Sequence, residues 1–225
     1  MKRIMIAMLR LVLTVPALAQ YGRPHYYNRP VSSRYAHRDY GHRDYADVYY
    51  GLRLGASFST VNSDDQYLDG GAAKTGLDIG AVIGFQLGLN SPVYFETGLS
   101  YIEKGGKGNF EGAKFTYGLN YLELPLVVKY KHNFDPYFSI QPFLGGYMSA
   151  GVSGKIKDFG HRAAYSSFDN EGFQRFDAGI RLGCGVQFDF LYGEIGYDIG
   201  LANISHDYFD TSHTGTLFTT IGINF

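Results

Sequence analysis

The chain has 225 residues, 20 Lys+Arg against 21 Asp+Glu and a formal net charge of −1, a balance that excludes broad electrostatic binding of nucleic acid. Charged residues make up 18%, below the roughly 25% of ordinary soluble domains. The 30 glycines are nearly twice the usual share of about 7%, and 20 Tyr and 17 Phe come with no Trp. A single cysteine, Cys184, excludes an internal disulfide framework and a four-thiolate metal site.

At the N-terminus, Lys2 and Arg3 precede an apolar run over Ile4–Val15, interrupted by Arg10. Ala17-Leu18-Ala19 then forms a small-x-small cleavage site before Gln20. This predicts a secretory signal peptide over residues 1–19. No cysteine follows the cleavage site, so a lipoprotein anchor is not expected. Beyond it no apolar run approaches the roughly 20 residues of a membrane helix. Residues 20–47 are rich in Tyr, Arg, His and Pro, with a short repeat, Ala36-His37-Arg38-Asp39-Tyr40 then Gly41-His42-Arg43-Asp44-Tyr45. With almost no aliphatic residues this stretch cannot bury a core and is expected to be a flexible periplasmic segment. His25, His37 and His42 are its candidates for contact with a polyanion, cell-wall material or a metal; a disordered leader is the alternative.

Residues 48–225 read as one barrel domain. Between Arg175 and Asp189, Phe176, Ala178, Ile180, Leu182, Cys184, Val186 and Phe188 alternate with polar or glycine residues, a repeat that places every apolar side chain on one face of a strand. The same period marks segments near 49–58, 77–89, 93–102, 120–131, 137–149, 191–201 and 215–225. Their apolar phase includes Leu52/Leu54/Phe58, Leu77/Ile79/Ile83, Val93/Phe95/Leu99, Leu122/Leu124/Leu126, Ile140/Leu144/Met148, Ile195/Tyr197/Ile199 and Leu217/Ile221/Ile223, and it carries no charge. Charges fall on the opposite phase at Arg53, Asp78, Glu96, Glu123, Lys129, Asp177, Arg181, Glu194 and Asp198, with glycines between them.

That second face is too poor in charge to solvate the outside of a soluble barrel. Turning the charge-free face to lipid and the glycine-rich polar face to a crowded lumen satisfies both, and a closed barrel is the one sheet a bilayer tolerates. The fold expected is therefore all-β, an eight-stranded antiparallel up-and-down transmembrane β-barrel. Long segments at 59–76, 103–119, 150–174 and 202–214 alternate with short turns at Asn90-Ser91-Pro92, Asn133–Pro136 and Phe190-Leu191. Outer-membrane barrels have short periplasmic turns and long outer loops, so both barrel ends are expected in the periplasm and four long loops outside. Interface girdles are expected from Tyr49, Tyr50, Tyr94, Tyr130, Tyr137, Phe188, Tyr192 and Phe225 on the turn side. Phe58, Tyr101, Tyr121, Tyr147 and Phe176 would form the loop-side girdle. The terminal aromatic, Phe225, is the candidate membrane-assembly signal, through which the last strand would engage the barrel-assembly machinery.

The stretch Tyr121-Leu122-Glu123-Leu124-Pro125-Leu126-Val127-Val128-Lys129-Tyr130 resembles the "YLEIPLLLKY" strand of the small PorT-like, porin-family outer-membrane β-barrel proteins of the Bacteroidetes. Pro142–Tyr147, Arg175–Gly179, Gly183–Val186 and Gly200–Ile204 extend the likeness over about residues 48–225. The resemblance implies an eight-stranded outer-membrane barrel and carries no catalytic motif.

An eight-stranded barrel has an interior just wide enough for its own side chains. Arg53, Lys129 and Arg181 are expected to pair with some of the six carboxylates in a lumen polar network. The function expected is non-enzymatic: envelope structure, adhesion, or a part in a membrane or secretion assembly. A small passive pore for ions or small solutes is the alternative. A further alternative is an acyltransferase or protease using Ser205, His206, Asp207 and His213 in the last outer loop, where no nucleophile-elbow or HExxH spacing occurs. Loop residues Lys104, Lys107, Lys155, Lys157, His161 and Arg162 read as solvated charge able to meet lipopolysaccharide phosphates or an envelope protein partner. No cofactor or metal is expected. Cys184 lies on the lipid phase as a small apolar residue.

Overall fold

Alternation of apolar with small or polar residues forces an extended backbone, because only a two-residue period keeps one face uniformly apolar. In the computed structural model such segments form eight long strands. They are β1 (Val48–Ser63), β2 (Lys74–Gln86), β3 (Val93–Phe110), β4 (Ala113–Tyr130), β5 (Phe138–Ser153), β6 (Phe176–Phe188), β7 (Leu191–Gly200) and β8 (Ser212–Asn224). The structure describes residues 47–63, 73–89, 91–110, 113–158, 165–168, 173–204 and 212–225, apart from the side chains of 62–63, 109–110, 113–114, 158 and 165. All of them belong to the unit Arg43–Phe225. The expected signal peptide and the segment 20–46 lie outside the described residues.

Each strand pairs antiparallel with its chain neighbour, and β8 returns to β1 from Gly51↔Asn224 to Ser63↔Ser212, closing the barrel. Closure reaches the last residue: Tyr50 N donates to Phe225 O at 2.8 Å and Phe225 N to Tyr50 O at 2.9 Å. A closed ladder leaves no unpaired edge, as a bilayer requires. The β6–β7 turn is only two residues long, and Asp189 takes the left-handed conformation there (φ 54°), which Asp tolerates better than most side chains. At the β4–β5 turn, Asp135 Oδ1 accepts the Tyr137 and Phe138 N–H groups, both at 2.7 Å.

The apolar phase faces outward: Leu52, Leu144 and Ile221 are 51%, 62% and 71% exposed. Such a continuous exposed apolar surface belongs in lipid rather than water.

Two expectations are corrected. The segment 103–119 is not a loop: β3 and β4 stay in register from Val93↔Tyr130 to Phe110↔Ala113, a hairpin several residues longer than the apolar belt. A short strand, Lys155–Asp158, pairs onto its β4 side, and Tyr165–Ser166 onto that. The hairpin persists past the belt because its inward phase continues with Ile102, Tyr117 and Leu119. These are buried with Val61, Tyr121, Phe168, Phe173 and Ile204 in an apolar cluster at the loop-side end. The second correction concerns tyrosines assigned to the girdles. Tyr94, Tyr121, Tyr147 and Tyr192 are buried, and Tyr49 points its hydroxyl at Glu96; all five occupy the inward phase.

Glycines make room for these rings. A Cβ on Gly84 would lie 2.1 Å from the Tyr49 ring, one on Gly106 2.3 Å from the Tyr117 hydroxyl, and one on Gly185 2.1 Å from the Tyr192 hydroxyl. At these positions the glycine and the tyrosine are one packing solution, whereas Gly55, Gly98, Gly145 and Gly222 instead admit the backbone of the neighbouring strand.

Candidate functional site

Strand alternation turns every second side chain to the interior, and the charged and polar ones among them stack in two layers. In the turn-side layer, Lys129 Nζ sits 2.8 Å from Glu96 Oε1 and 3.5 Å from Glu194 Oε2, and donates to the Tyr192 hydroxyl at 2.7 Å. Tyr192 in turn donates to Glu194 Oε2 at 2.9 Å, Thr220 to Glu194 Oε1 at 3.0 Å, and Tyr49 to Glu96 Oε2 at 2.5 Å. Arg53 stacks its guanidinium 4.0 Å above the Tyr192 ring, with Nη2 3.8 Å from Glu96.

In the loop-side layer, Arg181 grips Asp198 through Nε and Nη2, both at 2.7 Å, the bidentate geometry that suits a guanidinium. Its Nη2 also meets Glu123 Oε1. Glu123 Oε2 accepts from Ser149 at 2.8 Å. Asp177 accepts from Thr214 at 3.0 Å and from Tyr147 at 3.3 Å. Between the layers lie Val127, Phe143 and Phe218 and a cavity of about 30 Å³, lined in part by Asp78, Ser100 and Arg53. That is room for a water molecule or two.

The nine charged lumen residues read from the sequence therefore fall into three places. Arg53, Glu96, Lys129 and Glu194 meet in one layer, and Glu123, Asp177, Arg181 and Asp198 in the other. Asp78 is buried between them, outside both sets of ion pairs among the described residues.

Lys104 corrects the sequence reading. It is not a solvated loop charge but 0% exposed, with Nζ 2.8 Å from Glu123 Oε2, 3.2 Å from Asp177 Oδ2 and 4.2 Å above the Tyr147 ring. The signal was present in the phase: Glu96, Ser100, Ile102 and Lys104 share one face of β3. Counting Lys104, four cations face six carboxylates.

Such pairs add little over an apolar filling of equal volume. They do make register unforgiving. A one-residue slip would turn the charges onto lipid, where each Lys or Arg near the midplane costs about 2–4 kcal/mol.

At the chain end, Phe225 is 70% exposed on the outward face and stacks on Tyr50 at a centroid distance of 6.2 Å. Of the proposed last-loop constellation, Ser205, His206 and Asp207 lie outside the described residues; His213 is on β8, with Nδ1 3.1 Å from Ala202 O. Lys107, Lys155 and Lys157 are exposed, whereas His161 and Arg162 lie outside the described residues.

The profile of the outer membrane protein beta-barrel domain family matches residues 28–206. Among solved structures, Neisserial surface protein A is similar with a TM-score of 0.47 and 12% identity, over 78% of this chain and 97% of that one. The outer membrane protein OprG from Pseudomonas aeruginosa has a TM-score of 0.44 and 11% identity, over 80% and 96%. Ail, the attachment invasion locus protein of Yersinia pestis, in complex with the heparin analogue sucrose octasulfate, has a TM-score of 0.41 and 15% identity, over 80% and 99%. No curated protein matches the chain.

Proposed function

The chain belongs to the outer membrane protein beta-barrel domain family, and from that membership we propose that it is a sealed, non-enzymatic barrel serving envelope structure or attachment. Both barrel ends lie in the periplasm, and the long β3–β4 hairpin projects outward. The observation that carries this reading is the filled lumen. Two ion-paired layers and an apolar loop-side cluster occupy the cross-section, and the space between the layers holds about 30 Å³. A barrel packed in this way presents surfaces rather than a path. Its last strand, ending on the outward Phe225, is the segment offered to the assembly machinery. The partners are lipid, lipopolysaccharide and an envelope protein, in keeping with the PorT-like resemblance.

Two measurements test the reading. Purified protein in planar bilayers should show no steady conductance; a steady, reproducible channel would overturn the sealed lumen in favour of a passive pore. A cysteine introduced as Lys107→Cys on the projecting hairpin should react with a membrane-impermeant maleimide on intact cells. Reaction only after lysis would reverse the orientation.

A further inference from the structure

Just past the apolar belt, on the outer wall rather than in the lumen, β2, β3, β4 and the strand Lys155–Asp158 enclose a groove of about 340 Å³. Lys74, Lys155 and Lys157 line it together with Thr116, Asn120 and, among the described residues, a single carboxylate, Glu103. That carboxylate is engaged toward the belt, accepting the Leu77 N–H and the Tyr101 hydroxyl, each at 3.3 Å. The groove's floor is glycine. A Cβ on Gly118 would sit in ordinary contact with the Lys74 chain, 3.6 Å from Cε and 3.8 Å from Nζ, and one on Gly105 would crowd Lys74 at 3.1 Å. Lys74 lies flat along this floor and donates to Lys104 O at 3.2 Å.

Lys74 and Lys157 are close enough to repel. Burial, and the Lys157 charge against the pull of Glu103, hold the Lys74 ammonium below the ordinary lysine value. An anion entering the groove would relieve that repulsion while Thr116 and Asn120 supply neutral donors.

Depth identifies the anion's source. Leu122 is the last apolar outward residue of β4 toward the loops, and Gly118 and Thr116 follow it on the same face. At about 3.3 Å per residue and a tilt near 40°, the groove runs from roughly 5 Å beyond the belt at Asn120 to roughly 15 Å at Thr116, so its inner end lies within the headgroup layer of about 5–8 Å and its outer end reaches past it.

We propose that this groove is a phosphate-binding subsite for the headgroup of a phosphorylated lipid of the outer leaflet, held by Lys74, Lys155 and Lys157 over the Gly105/Gly118 floor. The leaflet named here rests on the loop-side-out orientation proposed above; the groove itself does not.

The test is native mass spectrometry of the full mature protein in detergent micelles, with bisphosphorylated lipid A as probe and with folded state checked by unheated gel mobility. Wild-type protein should retain one lipid A. The triple variant Lys74→Gln/Lys155→Gln/Lys157→Gln should weaken retention by about tenfold or more. Gly118→Val, which fills the floor beneath Lys74 without removing a charge, should weaken it as well. Lys131→Gln, a single Lys-to-Gln change at the turn-side end, should not. Dephosphorylated lipid A should not be retained, and millimolar inorganic phosphate should not displace the bisphosphorylated form. Three results overturn the proposal: retention by the folded triple variant at wild-type strength; loss in the triple variant with none in Gly118→Val, which is diffuse surface charge; and displacement by free phosphate, which is a soluble-anion site. Lost lipid binding with intact-cell labelling preserved refutes the groove alone; preserved binding with labelling only after lysis refutes the orientation alone.

Discussion

Replacing Lys104 with methionine separates the buried-lysine structure from the solvated loop that the sequence suggests. Met keeps the apolar stem and fills most of the volume, so packing loss is small. The ammonium it removes bridges Glu123 and Asp177, with all three groups fully buried. Taking one partner from a buried pair costs about 3–5 kcal/mol, because a charge is left without compensation. The two carboxylates are not orphaned equally. Glu123 keeps the Arg181 guanidinium and the Ser149 hydroxyl, whereas among the described residues Asp177 keeps only the hydroxyls of Thr214 and Tyr147. The expected loss for Lys104→Met is therefore near the lower bound, about 3 kcal/mol, and located at Asp177. Adding Asp177→Asn should restore more than half of it; adding Glu123→Gln should not, since that variant leaves Asp177 charged. Urea unfolding of protein refolded into lipid vesicles, followed by circular dichroism and heat-modifiable gel mobility, gives each term of the cycle. A Lys104→Met barrel within about 0.5 kcal/mol of wild type, as for an exposed side chain, would refute the buried bridge. Equal rescue by Glu123→Gln would refute the asymmetry.

Two further outcomes follow from the packing. Gly106→Ala should destabilise by about 1–3 kcal/mol through collision with the Tyr117 ring, and the penalty should vanish in a Tyr117→Leu background; a penalty that persists would place the conflict in the backbone instead. Leu144→Arg, on the outward face between Val128 and Leu182, should cost about 2–4 kcal/mol in vesicles, and Asn120→Arg at the loop-side rim about 0–1 kcal/mol; equal costs at the two depths would argue against a lipid belt.

The barrel's two faces were legible because strand geometry leaves no freedom: residues two apart must share a face. The absence of charge on the phase of Leu52, Ile79, Leu144 and Ile221 is enough to say which face meets lipid. Strand ends were less legible. A run such as Glu103-Lys104-Gly105-Gly106-Lys107 has the composition of a loop, and nothing local to it reveals that Tyr117 and Leu119 lie opposite and hold it in register. Composition near strand ends likewise suggested girdle positions for Tyr94, Tyr121, Tyr147 and Tyr192, although their phase already placed them inside. Lys155 and Lys157 were legible as charge able to meet lipopolysaccharide phosphates, but the groove they form with Lys74 was not. Lys74, Gly118 and Lys155 belong to three segments brought together only when the short strand Lys155–Asp158 pairs onto β4.

By itself the sequence determined the alternation, and with it the class of fold, the lipid-facing side and the identity of nearly every charge in the lumen, since a two-residue period is a local property of the chain. Only the tertiary structure decided which of those charges touch. Lys104 meets Asp177 across 73 residues of sequence, and Tyr49 meets Glu96 across 47. Those pairs are set by register and barrel closure, which depend on every strand at once and on none alone. Part of the surplus of glycine and tyrosine has the same origin: at Gly84, Gly106 and Gly185 the missing side chain is the space a tyrosine ring occupies, and the register chooses which ring.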